Sequence, residues 1–254
     1  MRYAVLSDIH ANLEALSAVL DTLETLDVQH TVCCGDIVGY YSNPNECVDL
    51  LRDAGVLSVM GNHDRAAASG APLSGSSVAV RAMDWTRGEL TQDSRSYLGA
   101  LPATREIDDC LLLFHGALHP PHRPENLHLL KDEDIRQTAA VFQARDTNAR
   151  VACYGHTHRR AALSIADEAQ VTAHEASGAV SLETGSWLIN PGSVGQPRDG
   201  TDTAWFAVID KDWPALSEAF RVWLDPVNFD EAGRQIESLG GLTALVRVSS
   251  DPTI

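Results

Sequence analysis

The chain has 254 residues and a composition ordinary for a water-soluble protein, long enough for a full core and short enough to be one domain. Its formal charge of -16, from 19 basic against 35 acidic residues, works against holding a long polyanion by its backbone, because that affinity comes from clustered Lys and Arg. No apolar run approaches the roughly 18 residues of a membrane span, and five cysteines without C-x-x-C spacing argue against a disulfide framework. Cys33, Cys34, Cys110 and Cys153 sit in or beside apolar runs, where a thiol is a small hydrophobe. Met1-Arg2-Tyr3 leads straight into an apolar run rather than a signal peptide, so the expected compartment is cytoplasmic.

Tyr3 to Leu6 reads as a buried strand, and Asn12 to Leu26 as a helix with Leu13, Leu16, Leu20 and Leu23 on one face. A second cycle follows, with Thr31 to Cys34 as strand and Pro44 to Ala54 as helix, capped by Asn43 and stopped by Gly55. Val56 to Met60 is a third strand, and Gly61-Asn62-His63-Asp64 after it reads as a turn. From Ala66 to Pro102 the cycle breaks: a small-residue loop over Ala66 to Ser77 precedes one helix through Trp85 and another from Thr91 to Leu98. This 66–102 stretch is either a helical cap over a site or a plain flexible connection.

Leu111 to Phe114 restores a strand, Asp132 to Arg145 a helix, and Val151 to Tyr154 a strand. Short strands then crowd the chain at Ala161 to Ile165, Val180 to Glu183, Trp187 to Ile189, Ala204 to Ile209 and Phe220 to Leu224, with a last helix over Asp230 to Leu239. Alternating strands and helices imply parallel pairing, with ligands bound beyond the carboxyl ends of the strands. The β-rich remainder implies a second sheet packed on the first.

Five of these strands end in a residue able to bind a metal: Asp8, Asp36, Asn62, His115 and His156. Asp8 and His10 are two apart, as are His156 and His158, so in extended chain each pair shares a side and can grip one cation. A carboxylate such as Asp36 has two oxygens and can bridge two cations. Each motif alone is ordinary loop chemistry, but all seven at five strand ends make a site of N and O donors for two metals.

Asp8-x-His10, Gly35-Asp36, Gly61-Asn62-His63-Asp64, His115-Gly116 and Gly155-His156-x-His158 together resemble the calcineurin-like metallophosphoesterases. Gly35-Asp36-Ile37-Val38-Gly39-Tyr40 and Asn190-Pro191-Gly192-Ser193-Val194-Gly195 are similar to the small prokaryotic single-domain phosphodiesterase branch. The resemblance spans nearly the whole chain and is weakest over Ala66 to Arg105 and Leu118 to Asn126. It implies one domain over 1–254, an α/β fold built as a four-layer α/β/β/α sandwich of two mixed sheets flanked by helices. It also implies two divalent or trivalent ions (Mn, Fe, Zn or Co), one on Asp8, His10, Asp36 and His158, the other on Asp36, Asn62, His115 and His156. Asn12 and Asn62 are assigned to substrate binding.

Two dications less Asp8 and Asp36 leave about +2 in the site, enough to attract a phosphate to an acidic chain. The expected nucleophile is a hydroxide bridging the metals, with no covalent intermediate. His63 is expected to protonate the leaving oxygen, oriented by Asp64. The reading is therefore hydrolysis of a small, nucleotide-like phosphodiester. Monoester or diadenosine polyphosphate hydrolysis is the alternative within the class, and a metal-binding scaffold without turnover the alternative outside it. The expected partner is a small phosphorylated substrate, with neither membrane nor long nucleic acid, and self-association into a homo-oligomer is compatible with it.

Overall fold

Strand and helix alternate at first: β1 (Arg2–Leu6), α1 (Leu13–Glu24), β2 (His30–Cys33), α2 (Pro44–Asp53) and β3 (Leu57–Ser58). Three helices follow, α3 (Asn62–Ser69), α4 (Ser77–Glu89) and α5 (Gln92–Ala100). Next come β4 (Arg105–Ile107), β5 (Leu111–Leu113), α6 (Asp132–Gln143) and β6 (Val151–Cys153). The remainder is strand: β7 (Arg160–Ile165), β8 (Val171–His174), β9 (Val180–Ser181), β10 (Ser186–Pro191), β11 (Thr203–Asp210) and β12 (Arg221–Asn228). This computed structural model describes residues 1–73, 75–119, 123–176, 180–182 and 185–210, and the backbone of 221–228.

One sheet has the order β3-β2-β1-β11-β12-β9 and the other β4-β5-β6-β10-β7-β8. Strands β1, β2 and β3 are parallel, as are β5, β6 and β10. Antiparallel neighbours join both groups, β11 to β1 with Arg2 opposite Asp210, and β7 to β10 with Ser186 opposite Ile165. Both sheets are thus mixed.

The period of two along a strand sorts the core into three layers. Ala4 and Leu6 of β1 face α1 and α2, packing with Leu16, Val19, Val48 and Leu51. Tyr3 and Val5 face the other way, onto Leu111 and Leu113 of β5, Val151 and Cys153 of β6, and Ile189. Leu112 of β5 turns outward again onto Ala139 and Phe142 of α6. Helix, sheet, sheet, helix is the order in which side chains meet, so the four-layer expectation holds. All five cysteines are buried. No helix among the described residues is long and apolar enough to cross a membrane.

The structure corrects the sequence reading in several places. Asn62 to Ser69 is helical where a turn and then a loop were expected. Asp64, third in the helix, accepts from the Gly61 N–H at 3.0 Å, Ala66-Ala67-Ala68 propagate the helix, and Gly70 ends it at φ 71°. The third strand shrinks to Leu57–Ser58, and strands Arg105–Ile107 and Val171–His174, which short polar sequences conceal, line opposite edges of the second sheet. The helix expected over Asp230 to Leu239, and Glu183 and Phe220 of two expected strands, lie outside the described residues.

Candidate metal centre and active site

Five parallel strands, β1, β2, β3, β5 and β6, deliver Asp8, Asp36, Asn62, His115 and His156 just beyond their carboxyl ends, and the loops there are stitched into one surface. Asp8 N–H donates to Gly35 O at 3.0 Å, His10 N–H to Asp36 O at 2.9 Å, and Gly155 N–H to His115 O at 2.9 Å. Asp8, His10, Asp36, His156 and His158 all have φ between 54° and 66°, the left-handed region that non-glycine residues rarely adopt. The extended chain expected for Asp8-Ile9-His10 is therefore absent; left-handed turns, not alternation, aim these side chains. Such backbone costs on the order of 1 to 3 kcal/mol per residue and persists where the surrounding bonds over-determine it.

The seven expected donors are brought together, every one at most 6% exposed. Asp8 Oδ1 lies 3.4 Å from His158 Nε2 and 3.9 Å from His10 Nε2, and those two nitrogens are 3.1 Å apart. On the other side, His115 Nε2 is 3.1 Å from Asn62 Oδ1 and 3.2 Å from Asp36 Oδ2. Donor atoms of Asp8, His10 and His158 lie within 4.8 Å of one another, and so do those of Asp36, His115 and His156. Asp36 Oδ2 also sits 3.8 Å from His10 Nε2, which puts this oxygen between the two groups.

Tautomers decide what these nitrogens can do. His10 Nδ1 faces Val38 O at 3.3 Å, His115 Nδ1 faces Cys34 O at 2.7 Å, and His158 Nδ1 faces Gln196 O at 2.5 Å. A carbonyl only accepts, so each Nδ1 carries the proton and each Nε2 presents a lone pair in the neutral ring. His156 is bonded to the backbone of Asn126, and its Nε2 has no hydrogen-bond partner among the described residues. Four lone pairs, the Asn62 oxygen and two carboxylates thus converge without a hydrogen-bond donor between them. That is a donor set for cations, and ring N–H groups tied to main-chain carbonyls are the usual outer support of metal-binding histidines.

Electrostatics agree. Burial holds His10 and His158 well below the ordinary imidazole range and, with His115 nearby, pushes His156 down to about 2, so these rings stay neutral. Burial opposes ionisation of Asp36 too, yet His115, His63 and His10 around it hold its carboxyl well below the usual range. His115 is lifted to about 9, against burial, by Asp36. Burial lifts Asp8 to about 7, with Asp36 adding to the effect.

His63, second residue of α3, is buried with Nδ1 unpartnered, its ring 4.7 Å from that of His10 and 4.9 Å from that of Tyr40. Gly39 makes room for it, since a Cβ there would fall 2.4 Å from Nδ1. Two expected roles change. Asp64 does not orient His63: its oxygens accept from the N–H groups of Asp36, Ile37 and Val38 at 2.8 to 3.2 Å as well as Gly61, so it clamps the Asp36 loop. Nor is Asn12 free for substrate, because its Oδ1 caps α1 at Ala15 N (3.1 Å) and its Nδ2 donates to Gly195 O at 3.0 Å.

A cavity of about 270 Å³ opens over the centre. Its floor is Asp36, Asn62, His63, His156 and His158, all buried; its rim includes Tyr40, Ser76, His128 and Arg198. Sequence reasoning missed the rim. Tyr40 and Arg198 stand beside the motifs without being motif chemistry, and the signal for Arg198 is its place just after Asn190–Gly195, the loop that bonds Ser7 and Asp8 through Val194 and Gly195. His128, stacked on His156 with ring centroids 3.7 Å apart, lies just after the weakly matching Leu118 to Asn126 stretch, and nothing in the sequence marks it.

Residues 1–212 match the family model of the calcineurin-like phosphoesterase superfamily domain. The chain is 38% identical over 212 residues, 82% of each chain, to an uncharacterized protein of Methanocaldococcus jannaschii. It is similar to the crystal structure of a metallophosphoesterase from Sphaerobacter thermophilus, with 34% identity, a TM-score of 0.75, and coverage of 96% of this chain and 97% of that one. A hypothetical protein from Pyrococcus horikoshii shares the fold at a TM-score of 0.72 and 20% identity, covering 97% of this chain and 94% of that one.

Proposed function

The chain belongs to the calcineurin-like phosphoesterase superfamily, and from that premise we propose that it hydrolyses a small, nucleotide-like phosphodiester on a two-metal centre, with His63 as the proton donor. The observation that carries the reading is Asp36 Oδ2 standing between two sets of buried lone pairs, 3.2 Å from one imidazole and 3.8 Å from another. Asp8, His10, Asp36 and His158 would hold one ion, and Asp36, Asn62, His115 and His156 the other. When bound, the ions supply Lewis acidity toward a phosphoryl oxygen and lower the pKa of water. Their N and O donors suit Mn, Fe, Zn and Co alike.

The chain's own residues do the rest. Asp64 fixes the Asp36 loop, and the Asp36 Oδ1 in turn accepts from His63 N–H at 2.8 Å, so this carboxylate and the imidazole share one frame. His63 lines the cavity floor, placed to deliver a proton to a departing oxygen. That service matters for alkoxide or ribose leaving groups, which favours a diester of biological type. Ser76 with Gly75 and Ala79 form one wall, which gives the 66–102 stretch a place at the site without closing it.

The test is turnover by metal-stripped protein reconstituted with each of the four metals against matched monoesters, diesters and dinucleotides. Diester turnover supports the reading. Preference for monoesters or for diadenosine polyphosphates would replace it with the alternative activity. Stoichiometric metal binding with no turnover of any ester would favour a scaffold.

A further inference from the structure

The cavity has a floor and a rim, and a substrate whose reacting phosphoryl sits on the buried floor must project its remainder past the exposed rim. Arg198 stands on that rim. Some arginines are neutralised by carboxylates, Arg2 by Asp210, Arg65 by Glu125 and Arg160 by Asp199. Arg198 forms no ion pair among the described residues. Its Nη2 donates to Gln196 Oε1 at 2.8 Å and to the Tyr40 hydroxyl at 3.4 Å, both neutral, while Nε and Nη1 make no hydrogen bond among the described residues.

This guanidinium is mounted rather than loose. Arg198 N–H donates to His158 O at 3.1 Å, and Gln196 O in turn takes the His158 Nδ1 proton at 2.5 Å, so Arg198 and a metal-centre histidine share one loop. The charge lies 6.0 Å from the centroid of the Tyr40 ring, whose edge packs on His10. Its influence reaches His10, His63, His128 and His158. Across the same cavity lie Ser76 and Ala79 at the start of the 13-residue α4, the positive end of a helix. A pre-positioned fork of N–H donors that forms no ion pair among the described residues, on a chain of net charge -16, is suited to a planar or tetrahedral anion.

We propose that Arg198 is a specificity-determining residue that binds a second anionic group of the substrate, a phosphate or carboxylate separate from the phosphoryl that reacts. This deepens the phosphodiesterase reading and rests on it: the substrate class is a diester carrying a further anion on one of its ester arms.

The experiment uses the full, metal-loaded chain and two esters with the same scissile bond, propyl p-nitrophenyl phosphate and 3-phosphonopropyl p-nitrophenyl phosphate, whose tail cannot be cleaved. The wild type should prefer the charged tail by about ten- to a hundredfold in kcat/KM, the range one charge-assisted hydrogen bond supplies, and mainly through KM. Arg198→Gln should bring the ratio near one, and Arg198→Lys should restore part of it. No preference in the wild type, or a preference that survives Arg198→Gln, overturns the proposal. So does an equal loss on both esters, which would place the guanidinium on the reacting phosphoryl. If neither ester is hydrolysed, the hydrolase reading fails on its own, and the subsite is read by calorimetry. Propane-1,3-bisphosphonate should then bind at least about tenfold more tightly than propylphosphonate, with the advantage lost in Arg198→Gln; equal affinities overturn it.

Discussion

On the proposed two-metal reading Asp36 is the residue that both sites would share, because one of its oxygens faces imidazoles of both groups while Asp8 Oδ1 faces only His10 and His158. Asp36→Asn should therefore lower the metal content by both equivalents and Asp8→Asn mainly by one. Elemental analysis showing equal losses would remove the bridging role. His63 makes a different prediction, since an imidazole that protonates a leaving oxygen matters only when that oxygen leaves badly. His63→Ala should slow alkyl and nucleoside diesters by about 10²- to 10⁴-fold while a nitrophenyl diester, whose anion departs unaided, loses far less. Equal slowing of both would assign the ring to phosphoryl binding instead. Asp64→Asn should not imitate it: Asp64 clamps the backbone of the Asp36 loop, so its loss should lower metal content and slow both esters alike.

At the scale of elements, α1 and α3 are set by their first residues. Asn12→Ala removes the side chain that caps Ala15 N and should lower stability by about 1 kcal/mol, seen as a lower denaturant midpoint with an unchanged slope. Gly61 precedes α3 with no room to spare, since a Cβ there would lie 2.1 Å from Asp36 Oδ1. Gly61→Ala should displace that carboxylate and empty both proposed metal sites in a chain that still folds; full metal occupancy would show the loop to be more yielding. Here the limits of sequence reasoning are visible. The Gly-Asn-His-Asp stretch announced its chemistry, because donors at strand ends repeat five times, but not its helix, because Gly-Asn and Asp also begin turns. Asn12 is likewise assigned to chemistry by the resemblance, where it follows Asp8-x-His10, and no periodicity distinguishes a capping side chain from a binding one. Parallel strands such as Tyr3–Leu6 were legible from their apolar runs, whereas Arg105–Ile107 and Val171–His174 owe their pairing to neighbours far away in sequence.

For the whole molecule, three apolar layers pack independently of any ion, so metal removal should cost stability without abolishing the fold. Chelated protein should keep a single cooperative thermal transition at a lower midpoint, and a transition lost on chelation would make the metals structural. The lower midpoint follows from the strained loops and converging lone pairs that metal-free protein must keep unrelieved.

The ring N–H groups of His10, His115 and His158 all end on main-chain oxygens, and this arrangement bears on heredity as well as geometry. A carbonyl cannot be altered by changing the codon of the residue that bears it. Most neighbouring positions should therefore drift freely without tilting a ligand, while the glycines and left-handed turns that set the path of the chain should tolerate almost nothing. A saturation library sorted on metal binding ought to show that inversion: sparse sensitivity among supporting side chains, Asp64 excepted, and dense sensitivity at Gly35, Gly61 and Gly155, where an added Cβ would collide with Gly61 N, Asp36 Oδ1 and Ser7 Oγ.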